Sequence, residues 1–204
     1  MGMNDISYLD DINDQSIKTI FQTTDNSYSG INHSNLTPAA VLIPLYQDGR
    51  EWFTLFTLRT DRVENHKGQV SFPGGAADIM DKTPVDTALR ETFEETGIPP
   101  QKVQILGQMP PHISSSGFLI YPVIGKIAWP VALTPAENEV KRIFSVPLKW
   151  LAETVNKEER LYTRQNGTQE MVVFYKPYDG EIIWGITARI ITDFLNLLQK
   201  NHGR

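Results

Sequence analysis

The sequence predicts a single-domain α/β sandwich, of the α/β/α or α+β kind, on three observations. Short β-branched and aromatic runs recur between Ala39 and Tyr175, one long punctuated helix interrupts them after a glycine-rich turn, and a second helical stretch closes the chain. A length of 204 residues suits one core of ordinary size. Hydrophobic residues at 40% and charged residues at 21% exclude a wholly disordered, collagen-like or coiled-coil chain.

Taken in order, residues 1–36 are polar, and Tyr8, Leu9, Ile12, Ile17 and Phe21 supply the only helical hint. The expectation is an N-terminal helix and loop extension, followed by the main domain over 37–204. AAVLIPLY and WFTLFTLR flank QDGRE and read as two strands joined by a turn. Pro84 to Thr96 is the clearest helix, with Thr83 as N-cap, proline at the first helical position and Gly97 at the end. Its stripe Val85, Ala88, Leu89 and Phe93 is expected to face the core, leaving a separate acidic side. Strands are predicted at VQILGQM, LIYPVIGKIAW, RIFSVPL, RLYTR and MVVFY, a short helix from Pro147 to Thr154, and a closing helix from about Ile186 to Leu198.

A net charge of −5 argues against capture of a nucleic-acid backbone and favours a small-molecule partner. The absence of cysteine excludes disulfides, thiolate metal sites and cysteine nucleophiles, so any metal is held by oxygen or imidazole. The first residues, MGMNDISYLDDINDQ, lack a basic region followed by an apolar core, and no run reaches the roughly 18 apolar residues of a membrane span. A cytoplasmic protein with no membrane association is expected, with the N-terminal segment leaving room for a homodimer.

The chemical signal lies in Glu91, Glu94 and Glu95, which a helix places near one another at i, i+3 and i+4. Like charges at this spacing cost about a few tenths of a kcal/mol per pair when exposed and more when desolvated. A hard divalent cation, Mg²⁺ or Mn²⁺, would offset that repulsion and keep positions open for water and phosphate; a plain solvated acidic face is the other reading. Arg90 stands where its guanidinium can orient a carboxylate, and Gly74 and Gly75 leave backbone free to approach a metal or phosphate.

Gly75, Asp81, Arg90, Glu91, Glu94, Glu95, Gly97 and Ile98 together resemble the Nudix box of pyrophosphate hydrolases. Asp81 stands where most members have glutamate, eight rather than seven residues separate it from Arg90, and Thr92 replaces an apolar residue. The resemblance implies a Nudix-like α/β/α sandwich with a mixed sheet, and water attack on a phosphorus of a nucleoside diphosphate derivative. It implies metal ligation by Glu91, Glu94 and Glu95 beside Gly75, with Arg90 as an orienting group. The general base is then Glu91 or Glu139, the latter from the segment TPAENEVKRIFSVPL.

Upstream, Thr57, Arg59, His66, Gly68, Gln69, Val70, Phe72, Pro73, Gly74 and Gly75 resemble the extra motif of the coenzyme A pyrophosphatase subgroup, with echoes in SSSGFLIYPVIG and IIWGITARII. Arg59, Lys67 and Gln69 are its candidate substrate contacts, although Arg59 can equally pair with a carboxylate at its strand end. Glu64 stands where the subgroup has arginine, with Arg62 nearby. Trp184 is expected in the core and Arg189 in an ion pair, a border for adenine or phosphate being the other reading. Three functions are compatible: a coenzyme A pyrophosphatase, a Nudix hydrolase of ADP-ribose, NADH or another nucleotide, and a Nudix-fold protein that binds nucleotide without cleaving it.

Overall fold

The computed structural model describes residues 6–22, 27–28, 35–60, 68–163 and 167–202. Two short helices, α1 (Tyr8–Asp11) and α2 (Asp14–Phe21), open the described chain. Asn13 caps α2 by accepting from the amides of Gln15 and Ser16. The hairpin β1 (Thr37–Asp48) and β2 (Glu51–Arg59) follows, turning at Gly49 with φ 62°, where a side chain would be strained. Then come β3 (Val70–Ser71), β4 (Gly74–Ala76), α3 (Pro84–Thr96), β5 (Val103–Gln108), β6 (His112–Ile113), β7 (Phe118–Ile127) and β8 (Val140–Pro147). The chain closes through α4 (Leu148–Ala152), β9 (Lys157–Thr163), β10 (Gln169–Tyr175) and α5 (Gly185–Asn201).

Strands β1 to β8 form one mixed sheet in which β1 and β7 run parallel at the centre, the remaining pairs being antiparallel. Alternation along the central strands divides their side chains between two cores. Ala40, Leu42, Leu119, Tyr121 and Val123 meet Ala88 of α3 on one face. Ile43, Leu45 and Ile124 meet α2, α4 and α5 on the other, the three-layer arrangement the sequence predicts. Among the described residues, no helix is long and apolar enough to cross a membrane.

Three features differ from the sequence expectation. The polar N-terminus still contributes Tyr8, Leu9, Ile12, Ile17 and Phe21 to the main core. Phe21 stacks on Phe194 at 5.2 Å, and the Trp52 indole donates to the Ile12 carbonyl at 3.3 Å. Strands β9 and β10 form a separate two-stranded sheet. The stripe assigned to α3 is rotated: Phe93 is 51% exposed while Thr92 and Glu95 are buried at 0% and 3%. Thr92 satisfies its hydroxyl by donating to the Ala88 carbonyl at 2.6 Å, so a polar residue enters the core at little cost.

Candidate active site

The sequence holds α3 at both ends. Thr83 accepts from the Asp86 amide at 3.2 Å, and Asp86 accepts in return from the Thr83 amide at 2.9 Å. Gly97, with φ 74°, ends the helix and donates to the Phe93 carbonyl at 2.9 Å. This fixes the rotation of the acidic residues relative to β4, which runs antiparallel to β1.

Arg90 is the hub. It donates from Nη1 to Glu91 at 2.8 Å and Glu94 at 3.0 Å, and from Nη2 to Asp81 at 2.8 Å and the Ala76 carbonyl at 3.0 Å. One planar fork thus ties the glycine turn, the turn before α3 and two helical carboxylates together. Asp81, whose role the sequence left open, is the anchor for Arg90. It also accepts from the Thr87 hydroxyl at 2.8 Å and the Asp78 amide at 2.9 Å. Hydrogen bonding from Arg90 holds its carboxyl down at about 2. The shorter aspartate and the one-residue longer spacing are accommodated by this turn.

The three glutamates have different surroundings. Glu94 is mostly exposed and bound to Arg90. Glu91 is largely buried beside Gly75, where an added Cβ would lie 2.5 Å from its carboxyl carbon. Burial raises its pKa against the opposing pull of Arg90. Glu95 is enclosed, and burial pushes its carboxyl up to about 8, with Arg59 at 3.6 Å and a Gly74 backbone hydrogen bond acting the other way. Its Oε2 has no hydrogen-bond partner among the described residues.

Arg59 therefore fulfils the ion-pair reading, while its buried Nε also has no hydrogen-bond partner among the described residues. The Gln69 carbonyl accepts from the Arg59 amide at 3.0 Å, which ties Gln69 to the end of β2. Glu139 is exposed, its carbonyl accepts from the Thr60 amide at 2.8 Å beside Arg59, and its negative charge adds to the upward shift of Glu91 and Glu95. Lys67, His66, Arg62 and Glu64 lie outside the described residues.

Among the described residues, no three carboxylate or imidazole groups are gathered closely enough to enclose a metal ion. Arg90 draws Glu91 and Glu94 to itself, and Glu95 lies toward Arg59. The residues nevertheless fit a hard divalent cation: the donor set is all oxygen, Glu95 carries a buried unpaired carboxylate oxygen, and the missing side chain of Gly75 makes room for the Glu91 carboxylate against the glycine turn. Sequence periodicity missed the enclosure of Glu95, because apolar spacing on α3 pointed to Phe93. The sequence signal for Asp81 was its place in the box.

The family model of the NUDIX domain matches residues 36–166. The chain is 42% identical to the Nudix hydrolase NudL of Photorhabdus laumondii over 161 residues, covering 79% of this chain and 84% of that protein. It is 38% identical to NudL of Yersinia enterocolitica over 170 residues, covering 83% and 84%. A MutT/nudix family protein from Enterococcus faecalis shares the fold with a TM-score of 0.51 at 12% identity, covering 95% of this chain and 73% of that one.

Proposed function

The chain belongs to the Nudix hydrolase family, and from that premise we propose that it hydrolyses the pyrophosphate bond of coenzyme A or a coenzyme A derivative with Mg²⁺ or Mn²⁺, giving 3′,5′-ADP and 4′-phosphopantetheine. The observation that carries the reaction class is the Arg90 hub beside an enclosed glutamate with an unpaired oxygen. The substrate reading rests on the run from Thr57 to Gly75.

Glu91, Glu94 and Glu95, with the backbone at Gly75, would hold the cation. When bound, it supplies charge neutralisation for phosphate oxygens and acidifies a water. The remaining work belongs to the chain. Arg90 orients Glu91 and Glu94 through Nη1, and Asp81 keeps the guanidinium in place. Glu139 takes the proton of the attacking water: it is exposed and its charge bears on Glu91 and Glu95, whereas Glu91 is engaged by Arg90. Arg59, Lys67 and Gln69 are the substrate contacts, Arg59 supplying positive charge beside Glu95.

Glu64, where the coenzyme A subgroup has arginine, favours one second reading, a Nudix pyrophosphatase acting on ADP-ribose or NADH. The mechanism is tested by Glu94→Gln and Glu95→Gln, each expected to lose turnover while keeping a wild-type circular dichroism spectrum. Undiminished turnover in both folded variants would overturn it.

A further inference from the structure

A cleft of about 300 Å³ lies between the turn after β6, the first turn of α5 and the β9–β10 hairpin. Its volume is at the lower end of the range for small-molecule sites. The wall includes Ser115, Tyr162, Met171, Trp184 and Arg189. Trp184, expected in the core, is instead half-buried and lines this cleft. It stacks on Phe174 with centroids 5.5 Å apart and 5° between the planes, and Tyr162 lies 6.1 Å away. Arg189 bonds through Nε to Asp193 at 3.0 Å, and His112 holds the same Asp193 oxygen at 3.1 Å. The guanidinium is thereby fixed at the cleft rather than left to sweep through solvent.

The cleft is placed within reach of the reaction centre. Ala76, whose carbonyl accepts from Arg90, pairs with Ala39; Ala39 pairs with Ile120, and Ile120 with His112. Three strand spacings of about 4.8 Å put that row roughly 14 Å long. The first turn of α5 also touches the segment leading to Gly74, since Thr187 donates to the Val70 carbonyl at 3.2 Å.

We propose that this cleft takes the base and ribose-phosphate end of the nucleotide substrate, Tyr162 and Trp184 stacking on the base and Arg189 contacting a phosphate. Two aromatic rings beside a fixed guanidinium suit a base and its phosphate, whereas a pantetheine arm offers neither a π-face nor a charge to use them. The inference rests on the proposed function in taking the nucleotide end of the substrate to be 3′,5′-ADP.

The test is calorimetric titration with 3′,5′-ADP in EDTA, using wild type, Tyr162→Ala and Arg189→Ala. Both side chains are substantially exposed, so the variants are expected to keep the fold. Each should weaken Kd roughly tenfold, with binding of 4′-phosphopantetheine unchanged. Unchanged Kd in both variants, or no measurable binding by wild type, would overturn the assignment. Binding through the cleft without coenzyme A turnover would instead sink the proposed function alone. Turnover of coenzyme A with unaltered KM in both variants would sink the cleft alone.

Discussion

Replacing Gly75 with alanine changes one methyl group at the point where the glycine turn meets α3. Gly75 does not occupy the left-handed region, so alanine can adopt its backbone, and the consequence is steric. The new Cβ would sit 2.5 Å from the Glu91 carboxyl carbon and Oε1 and 2.7 Å from Oε2, where ordinary contact begins at 3.4 Å. The carboxylate must therefore retreat by about 0.9 Å, away from the position Arg90 gives it. A displacement of about 1 Å in a positioned group costs on the order of 100-fold in rate. Glu91 has a partly open side, so the stability cost should stay near the lower end of overpacking, about 1 kcal/mol, or roughly 2–4 °C in Tm. Steady-state hydrolysis with saturating Mn²⁺, alongside a thermal melt, measures both. A folded Gly75→Ala enzyme with kcat within about twofold of wild type would refute the claim that Glu91 acts from this position.

Asp81 has a depressed pKa, so its contribution to stability is present above the unfolded value of 3.8 and lost as pH falls through about 2. Asp81→Asn should cost at most about 2 kcal/mol at pH 7 and only a small fraction of that near pH 2, where the carboxyl is about half protonated, read by urea denaturation at each pH. Glu95 has the opposite sign: its raised pKa means a contribution present below 4.5 and lost as pH rises through about 8. Metal-free wild type should therefore lose stability across that window, and Glu95→Gln should not, with a difference on the order of 5 kcal/mol at most; parallel melting curves at pH 5 and pH 9 in EDTA would contradict this. Glu139→Gln should lower kcat by roughly 100-fold or more with KM little changed, and a wild-type pH–rate profile in this variant would remove Glu139 as the base.

Helix α3 was legible to its ends because its stops are local: Thr83 caps it, Pro84 fits the first turn, and Gly97 tolerates a positive φ. The main strands were legible for a related reason, since β-branched and aromatic runs alternate with turn residues. Burial on α3 was not, because neighbours decide it. Phe93 carries the larger apolar side chain, yet the packed face is the one with Ala88, Thr92 and Glu95. Short strands such as β3 and β4 depend on partners 12 or more residues away, on β2 and β1, and two or three residues carry no periodic pattern of their own. The gathering of Glu91 and Glu94 about Arg90 was readable from spacing. The Arg90 to Asp81 anchor and the clasp of Glu95 by Arg59 required the fold.

The most direct test of the central claim is incubation of the chain with coenzyme A, ADP-ribose and NADH in Mg²⁺ or Mn²⁺, with products separated by chromatography and identified by mass. The account predicts 4′-phosphopantetheine and 3′,5′-ADP from coenzyme A, abolished by EDTA and restored by the cation. Cleavage only of the other two nucleotides, or turnover that persists without divalent metal, would contradict it.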